Sequence, residues 1–532
     1  MVTRLSRRAM TLGLASAALP VSLCFAPAAA RAAGRTLKVA VHSPLRILDP
    51  TITVARITQM HGYMVYDTLF GLDAGGVPKP QMVDAWTVSP DGMAYTFRLR
   101  TGLRFHDGAP VTASDAVASL ERWGKRDALG QLLLAAGRLS VIDAGSFQLA
   151  LSQPFGFVLE ALAKPGTSAA FVMPARVASG SLDTPIQDAT GSGPYIFKRD
   201  EWVPGSKAVY VRNPDWAPRS EPSSAMAGAK VPRVERVEWV SLPDANVATS
   251  ALRAGEIDYY EYPPMDLVPV LEKTPGVNLV RIDPLGARAW IRPNHLYPPF
   301  DNPKARQALL HVVDQAQYMR ALGVPKGYYR DYCGAIFLCG GAWETDAGSA
   351  PFAKPDLEKA RQLFKEGGYD GRKVVMYHPT DLPDIDIPTK LTAQRLRKIG
   401  VAVELVPMDW GTFLGRAFKR DAPEAGGWNL YHSLDFGFNV GTPSTDVSLA
   451  ASCERARPGW PCDEAMERLR AAWVAQTDAQ KRRELVRQIQ ERFYEIVPFV
   501  PWGQFVRPIA VRSNIVDIGT TLVPVFWNLD KT

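Results

Sequence analysis

Hydrophobic positions along this chain alternate between two periods, and the changes of period mark out its elements. From Ala94 to Leu99, Tyr95, Phe97 and Leu99 are separated by Thr96 and Arg98, the period-2 pattern of a half-buried strand. Pro90-Asp91-Gly92 and Asp107-Gly108 are turn signals on either side of it. Thr112, three residues before Asp115 and ahead of Val117 and Leu120, reads as the N-cap of a helix over 114–125. Upstream, Thr36 to His42 predicts a strand and Ile57 to Phe70 a helix. Downstream, Leu139 to Ile142 and Phe147 to Leu151 predict a hairpin about Asp143-Ala144-Gly145-Ser146.

Two segments predict βαβ units. In the first, Val234 to Ser241 alternates as a strand, Asp244 to Ala254 reads as a helix stopped by Gly255, and Ile257 to Tyr262 as a strand. In the second, a strand at Lys373 to His378 precedes a helix at Pro388 to Ile399, stopped by Gly400, and a strand at Val401 to Pro407. Helices follow at Glu464 to Ala475 and Ala479 to Ile496, where Leu485, Ile489, Phe493 and Ile496 recur at helical spacing. With no internal repeat and no low-complexity linker, the expected fold class is α/β with two lobes interleaved in sequence.

Composition refines this picture. The 532 residues are 46% hydrophobic and 22% charged, enough for two or three domains with a large core. The formal charge of +7 includes Arg4, Arg7, Arg8 and Arg31 in the first 32 residues, which hold no acid. The remainder is nearly balanced, which argues against nucleic acid as a partner. The same 32 residues have a basic head, an apolar run from Leu12 to Phe25 and a small-residue exit at Ala30-Arg31-Ala32, the pattern of an export signal. Adjacent Arg7 and Arg8 favour twin-arginine export over the general secretory route. Cys24 follows Leu23, not the small residue a lipid anchor requires, so a soluble exported protein is expected. Four further cysteines, Cys333, Cys339, Cys453 and Cys462, suit disulfides in an exported chain. Three pairings are open, of which the local one, Cys333 with Cys339 and Cys453 with Cys462, is the simplest. Neither pair has the spacing of a zinc site, so no metal is expected.

Catalytic patterns are sparse. The chain has no Gly-x-Ser-x-Gly elbow, no His-Glu-x-x-His helix and no phosphate loop. Gly191-Ser192-Gly193-Pro194-Tyr195 reads as a turn, because Pro194 removes a backbone donor. The seven histidines are scattered, and His432, which ends a strand near an expected cleft, is the one kept as a functional candidate. Asp384 and Asp386 lie where a helix begins, which dipole stabilisation explains.

The stretch from Pro80 to Asp115 carries a resemblance. An acid and an aromatic precede Pro90-Asp91-Gly92, and the alternating strand ends in Leu99-Arg100. Gly102-Leu103-Arg104-Phe105-His106-Asp107-Gly108 and Val111-Thr112-Ala113-Ser114-Asp115 follow. This order resembles the family 5 solute-binding proteins, the periplasmic dipeptide- and oligopeptide-binding components of ABC importers. Tyr66-Asp67-Thr68-Leu69-Phe70, Gly191 to Tyr195 and Pro298-Pro299-Phe300-Asp301-Asn302 are similar to the family at matching places. The resemblance implies a two-lobed periplasmic-binding-protein fold, type II, of the large peptide-binding subclass. Its lobes would cover 33–285, with a subdomain at about 71–189, and 286–499, with a return to the first lobe over 500–532 and a hinge near Leu285 to Arg288. It implies a monomer, without enzymatic activity or cofactor, that closes on a peptide or similar small solute and meets an inner-membrane permease and ATPase. The expected cleft residues are Tyr377, His378, Trp410, Tyr431, His432, Ser433 and Asp435, with Asp435 holding a ligand amine. The alternatives are an exported α/β hydrolase using Asp435, His432 and Asp409, or a metal- or haem-carrying relative using His432.

Overall fold

The computed structural model describes residues 35–532 apart from Thr167. The export signal and Cys24 lie outside the described residues. Two mixed sheets dominate. The first has seven strands in the order Tyr195–Phe197, Lys207–Arg212, Arg236–Ser241, Thr36–Val41, Tyr259–Tyr260, Ile509–Arg512 and Val277–Val280. The second has five: Val403–Met408, Val374–Pro379, Leu430–Phe436, Ala287–Pro293 and Val500–Phe505. Helices cover both, giving two α/β lobes.

Both predicted βαβ units form. Arg236–Ser241 and Tyr259–Tyr260 lie parallel on either side of Thr36–Val41. Val374–Pro379 pairs directly and in parallel with Val403–Met408. The helix between that second pair runs Pro383–Lys398, starting before the expected Pro388, with Asp384 and Asp386 in its first turn.

A separate four-stranded antiparallel sheet contains Val83–Val88, Ala94–Leu99, Ser146–Leu151 and Gly137–Val141. The alternation holds: Phe97 and Leu99 are buried while Arg98 faces solvent and pairs with Asp84. Thr112 caps helix Ala113–Gly124, and Asp115 accepts its backbone N–H at 2.8 Å, closing a capping box. Gly191 and Gly193 serve close approach. A β-carbon at Gly191 would lie 1.9 Å from the Val65 carbonyl oxygen, so the turn presses on the end of helix Arg56–Val65.

Among the described residues two crossings join the lobes, and they run side by side. Ala287–Pro293 pairs antiparallel with Val500–Phe505 in the second sheet, and Val277–Val280 pairs antiparallel with Ile509–Arg512 in the first. The return crossing is therefore at 506–508, later than the expected 500. The segment about Pro498 and Pro501 reads as a connection, yet it forms an edge strand with a register shift opposite Ala289/Trp290, where a missing N–H is tolerated. Gly286 (φ +68°) sits on the first crossing, where a β-carbon would meet the Phe505 carbonyl oxygen at 2.1 Å.

Away from the crossings, the lobes touch again. Gly156 N–H donates to the Val474 carbonyl at 3.0 Å, Phe157 packs on Trp473 with centroids 4.8 Å apart, and Arg482 reaches Glu160 at 3.2 Å. The cysteines pair locally, Cys333 with Cys339 and Cys453 with Cys462.

Candidate functional site

Parallel strands direct their carboxyl ends to one edge of a sheet, where α/β folds place ligands. In the first lobe the residues beyond those ends include His42, Glu261 and Tyr262. In the second they include Asp381, Asp409 and Trp410. Phe436 ends the strand beside them. Glu261 and Tyr262 meet Phe436 at a small crevice between the lobes, lined also by Arg56, Asp283, Gly286, Phe505 and Arg507. Its volume is about 30 Å³, room for a water or two.

The crevice holds charge of both signs. Arg56, opening its helix, lies 4.5 Å over the Phe436 ring and brings Nε to 3.6 Å from Glu261 Oε1. Glu261 is wholly buried. Its Oε2 accepts from the His42 backbone N–H at 3.0 Å and pairs with His42 Nδ1 at 2.8 Å. Burial pushes the Glu261 carboxyl up, but His42 and Arg56 outweigh it and hold the group below its usual range. Burial pushes Asp283 up to about 6. Arg507 lies 4.0 Å over the Tyr262 ring and donates to Asp384 of the second lobe at 2.5 Å.

The residues expected in the cleft all belong to the second lobe, and none of them lines this crevice. Strand alternation separates them. Tyr431, Ser433 and Asp435 share one face of Leu430–Phe436, and His432 projects from the other. Asp435 is engaged internally: it accepts from Trp290 Nε1 at 2.7 Å and Ser448 Oγ at 2.9 Å, and lies 3.5 Å from Arg457 and 3.7 Å from Arg288. Burial raises its pKa, yet Arg457 and Arg288 prevail and keep it below the usual carboxylate range. Tyr431 is buried, its hydroxyl donating to the Pro458 carbonyl at 3.2 Å.

His432 is fully buried with Nε2 3.0 Å from Thr392 Oγ1, which in turn meets the Tyr318 hydroxyl at 2.6 Å. Burial pushes its imidazole down to about 3. It is a core group. His378 pairs with Asp386 at 2.6 Å, and the Tyr377 hydroxyl donates to the Gly426 carbonyl at 2.7 Å. Trp410 packs on Phe413 at 4.7 Å and donates its backbone N–H to Asp381. The hydrolase set of Asp435, His432 and Asp409 is not assembled: the first two point to opposite faces, and Asp409 caps its own helix by accepting from Thr412. Sequence reasoning did not single out Glu261, which follows a strand of the first βαβ unit just as Asp409 follows one of the second.

Comparison with known proteins decides the family. The model of bacterial extracellular solute-binding proteins, family 5 (middle), matches residues 77–455. A probable peptide ABC transporter periplasmic-binding protein of Sinorhizobium fredii is 38% identical, covering 97% of each chain. The chain belongs to the family 5 bacterial extracellular solute-binding proteins. A second relative, the glutathione-binding protein of Salmonella typhimurium, is 25% identical over 98% of this chain and 96% of its own. Solved structures share the fold of this chain. The periplasmic binding protein AgaA of A. tumefaciens R10, in complex with agropinic acid, superposes with a TM-score of 0.78 at 22% identity, covering 93% of this chain and 99% of its own. The dipeptide-binding protein of Pseudoalteromonas sp. SM9913, in complex with Met-Leu, gives 0.75 at 19% identity, with 93% and 100% covered. Among the described residues of this family 5 chain, no helix is long and apolar enough to cross a membrane.

Proposed function

We propose that this family 5 protein is the periplasmic capture component of an ABC importer, which closes on a peptide or peptide-like solute and delivers it to an inner-membrane permease and its ATPase. One observation carries the reading: identity of 38% along 97% of both chains to a protein named for peptide ABC transport. The paired crossings support it mechanically. A solute that touches both lobes favours the closed state by its differential contacts.

A thermal-shift screen of the mature protein against di- and tripeptides, glutathione, amino-acid conjugates, sugars and metal ions tests the proposal. A ligand at a hundredfold excess over its dissociation constant stabilises by about 2.7 kcal/mol. A shift with peptides, which are then recovered unaltered by mass spectrometry, is the expected result. Consumption of the ligand, or shifts only with metal ions or sugars, would remove the peptide-importer reading.

A further inference from the structure

We propose that the Cys333–Cys339 bond is a redox-sensitive lock on the two crossings: closed, it lets the lobes hold a captured solute, and its reduction by a dithiol loosens the crossings and lowers affinity. This rests on the solute-binding role proposed above. The place of the bond in the fold carries the inference. The Cys339 N–H donates to Gln504 Oε1 at 2.9 Å, and Gln504 Nε2 donates both to the Cys339 carbonyl at 3.0 Å and to the Leu285 carbonyl at 2.8 Å. Leu285 lies on the first crossing, and Gln504 closely precedes the return crossing. Between the cysteines, the Ile336 carbonyl accepts from Arg288 at 2.6 Å. Just ahead of them, the Tyr328 carbonyl accepts from the Val506 N–H at 2.7 Å. One segment of the second lobe therefore touches both crossings.

Cys333 is anchored elsewhere. Its N–H donates to Gln315 Oε1 at 2.9 Å and its carbonyl accepts from Gln315 Nε2 at 3.0 Å, at the start of helix Gln315–Ala321. The bond thus ties the end of the loop that meets the crossings to the end fixed on the lobe. Leu338, beside Cys339, is wholly buried at φ +72°, a conformation that a bulky residue keeps only where its surroundings enforce it. It packs where Leu285, Gly437 and the Gly286 carbonyl converge. Opening the bond frees Leu338 to leave that conformation, and Cys339 and Gln504 to shift against Leu285. The other disulfide is placed differently: its loop sets Gly459 against Arg292 and Pro293, at the end of Ala287–Pro293 away from the crossing. The cysteines are mostly buried, but Asp331 and Gly340 on either side are exposed, so local opening of the loop admits a dithiol. One thiolate of the dithiol attacks a sulfur, the S–S bond breaks, and its electron pair leaves on the other cysteine. The second thiol then closes the dithiol's own disulfide, so the chain gains the two electrons and two protons that the dithiol loses.

The experiment measures binding of a set of di- and tripeptides by equilibrium dialysis with mass spectrometry. It uses the wild type, Cys333→Ser/Cys339→Ser, and Cys453→Ser/Cys462→Ser with and without dithiothreitol, thiols being counted in parallel by alkylation. Hydrogen exchange over 285–289 and 504–508 is followed in the same forms without peptide. Opening the Cys333–Cys339 bond by either route is expected to weaken peptide binding about tenfold, as the binding-competent fraction falls, and to speed exchange at both crossings. Loss of the Cys453–Cys462 bond leaves affinity unchanged. Dithiothreitol supplies the open form if Cys333→Ser/Cys339→Ser does not fold. Unchanged affinity with the Cys333–Cys339 bond open overturns the lock, as does an equal loss on opening either disulfide, which marks a general loss of stability. A bond that stays intact in dithiothreitol overturns the redox sensitivity. An oxidised wild type that binds none of the peptides overturns the importer reading instead, and unchanged exchange at the crossings then overturns the loosening as well.

Discussion

Arg507, on the second crossing, donates to the carboxylate of Asp384 in the second lobe at 2.5 Å while its guanidinium lies 4.0 Å over the Tyr262 ring of the first. One side chain thus touches both lobes beside the segment about which they would turn. Both partners are largely sheltered, with 10% and 26% of their side chains exposed. This pair ties the return crossing to the second lobe. Asp384→Asn is expected to weaken solute binding by about tenfold, because the closed state becomes a smaller fraction of the population and apparent affinity falls with that fraction. Calorimetry on Asp384→Asn, Arg507→Gln and the double variant measures the coupling; additive effects would show that the pair does not latch the lobes.

Asp435 is expected to matter for stability before affinity. Removing its charge leaves the half-exposed Arg457 without its carboxylate and Trp290 and Ser448 with a weaker acceptor, while Arg288 keeps Asp446, so the loss is about 1–3 kcal/mol. Asp435→Asn should therefore show a clear fall in the melting temperature of the ligand-free protein. A melting temperature equal to that of the wild type would mean the network is not needed by the fold.

His432 and His61 give the protein a defined acid limb. Burial lowers each from 6.5 to about 3 in the folded state. Between these values the unfolded chain binds more protons than the folded one, so stability rises with pH across the window. It is complete above about pH 6.5 and is lost as pH falls towards 3, at about 1.4 kcal/mol per pH unit for each histidine. Denaturant titrations between pH 4 and pH 7 should show this slope, and His432→Gln should reduce it by about one proton. An unaltered slope in that variant would place the acid sensitivity elsewhere.

The two disulfides close short loops, with partners 6 and 9 residues apart in sequence. Loops of that size stabilise by about 2–3 kcal/mol each in the chain-entropy account. Replacing Cys453 and Cys462 by Ser together is expected to lower unfolding free energy by that amount, as read from urea denaturation. Four free thiols in protein recovered from the periplasm would dispose of both bonds.

Much of the architecture is legible in the sequence, because it is local. The alternation about Phe97, the Thr112–Asp115 cap, both βαβ units and the helices Glu464–Ala475 and Ala479–Ile496 follow from periods and caps that involve neighbouring residues only. The ordered stretch from Pro80 to Asp115 was enough to indicate the family. Neighbours distant in the chain were not legible. Alternation says that Leu430–Phe436 has two faces, but not that His432 faces Thr392 in the core while Asp435 faces Trp290, Ser448 and Arg457. Pro498 and Pro501 suggested a crossing. Only the pairing of Val500–Phe505 with Ala287–Pro293, more than two hundred residues earlier, makes that segment an edge strand and moves the return to 506–508. Glu261 and Phe436 likewise meet because two crossings bring strand ends of separate sheets together. The sequence by itself determined the elements and the family, since propensity and periodicity act over a few residues. The tertiary structure decided which partners each carboxylate meets, His42 and Arg56 for Glu261 and Trp290, Ser448 and Arg457 for Asp435, since those come from non-local strand pairing.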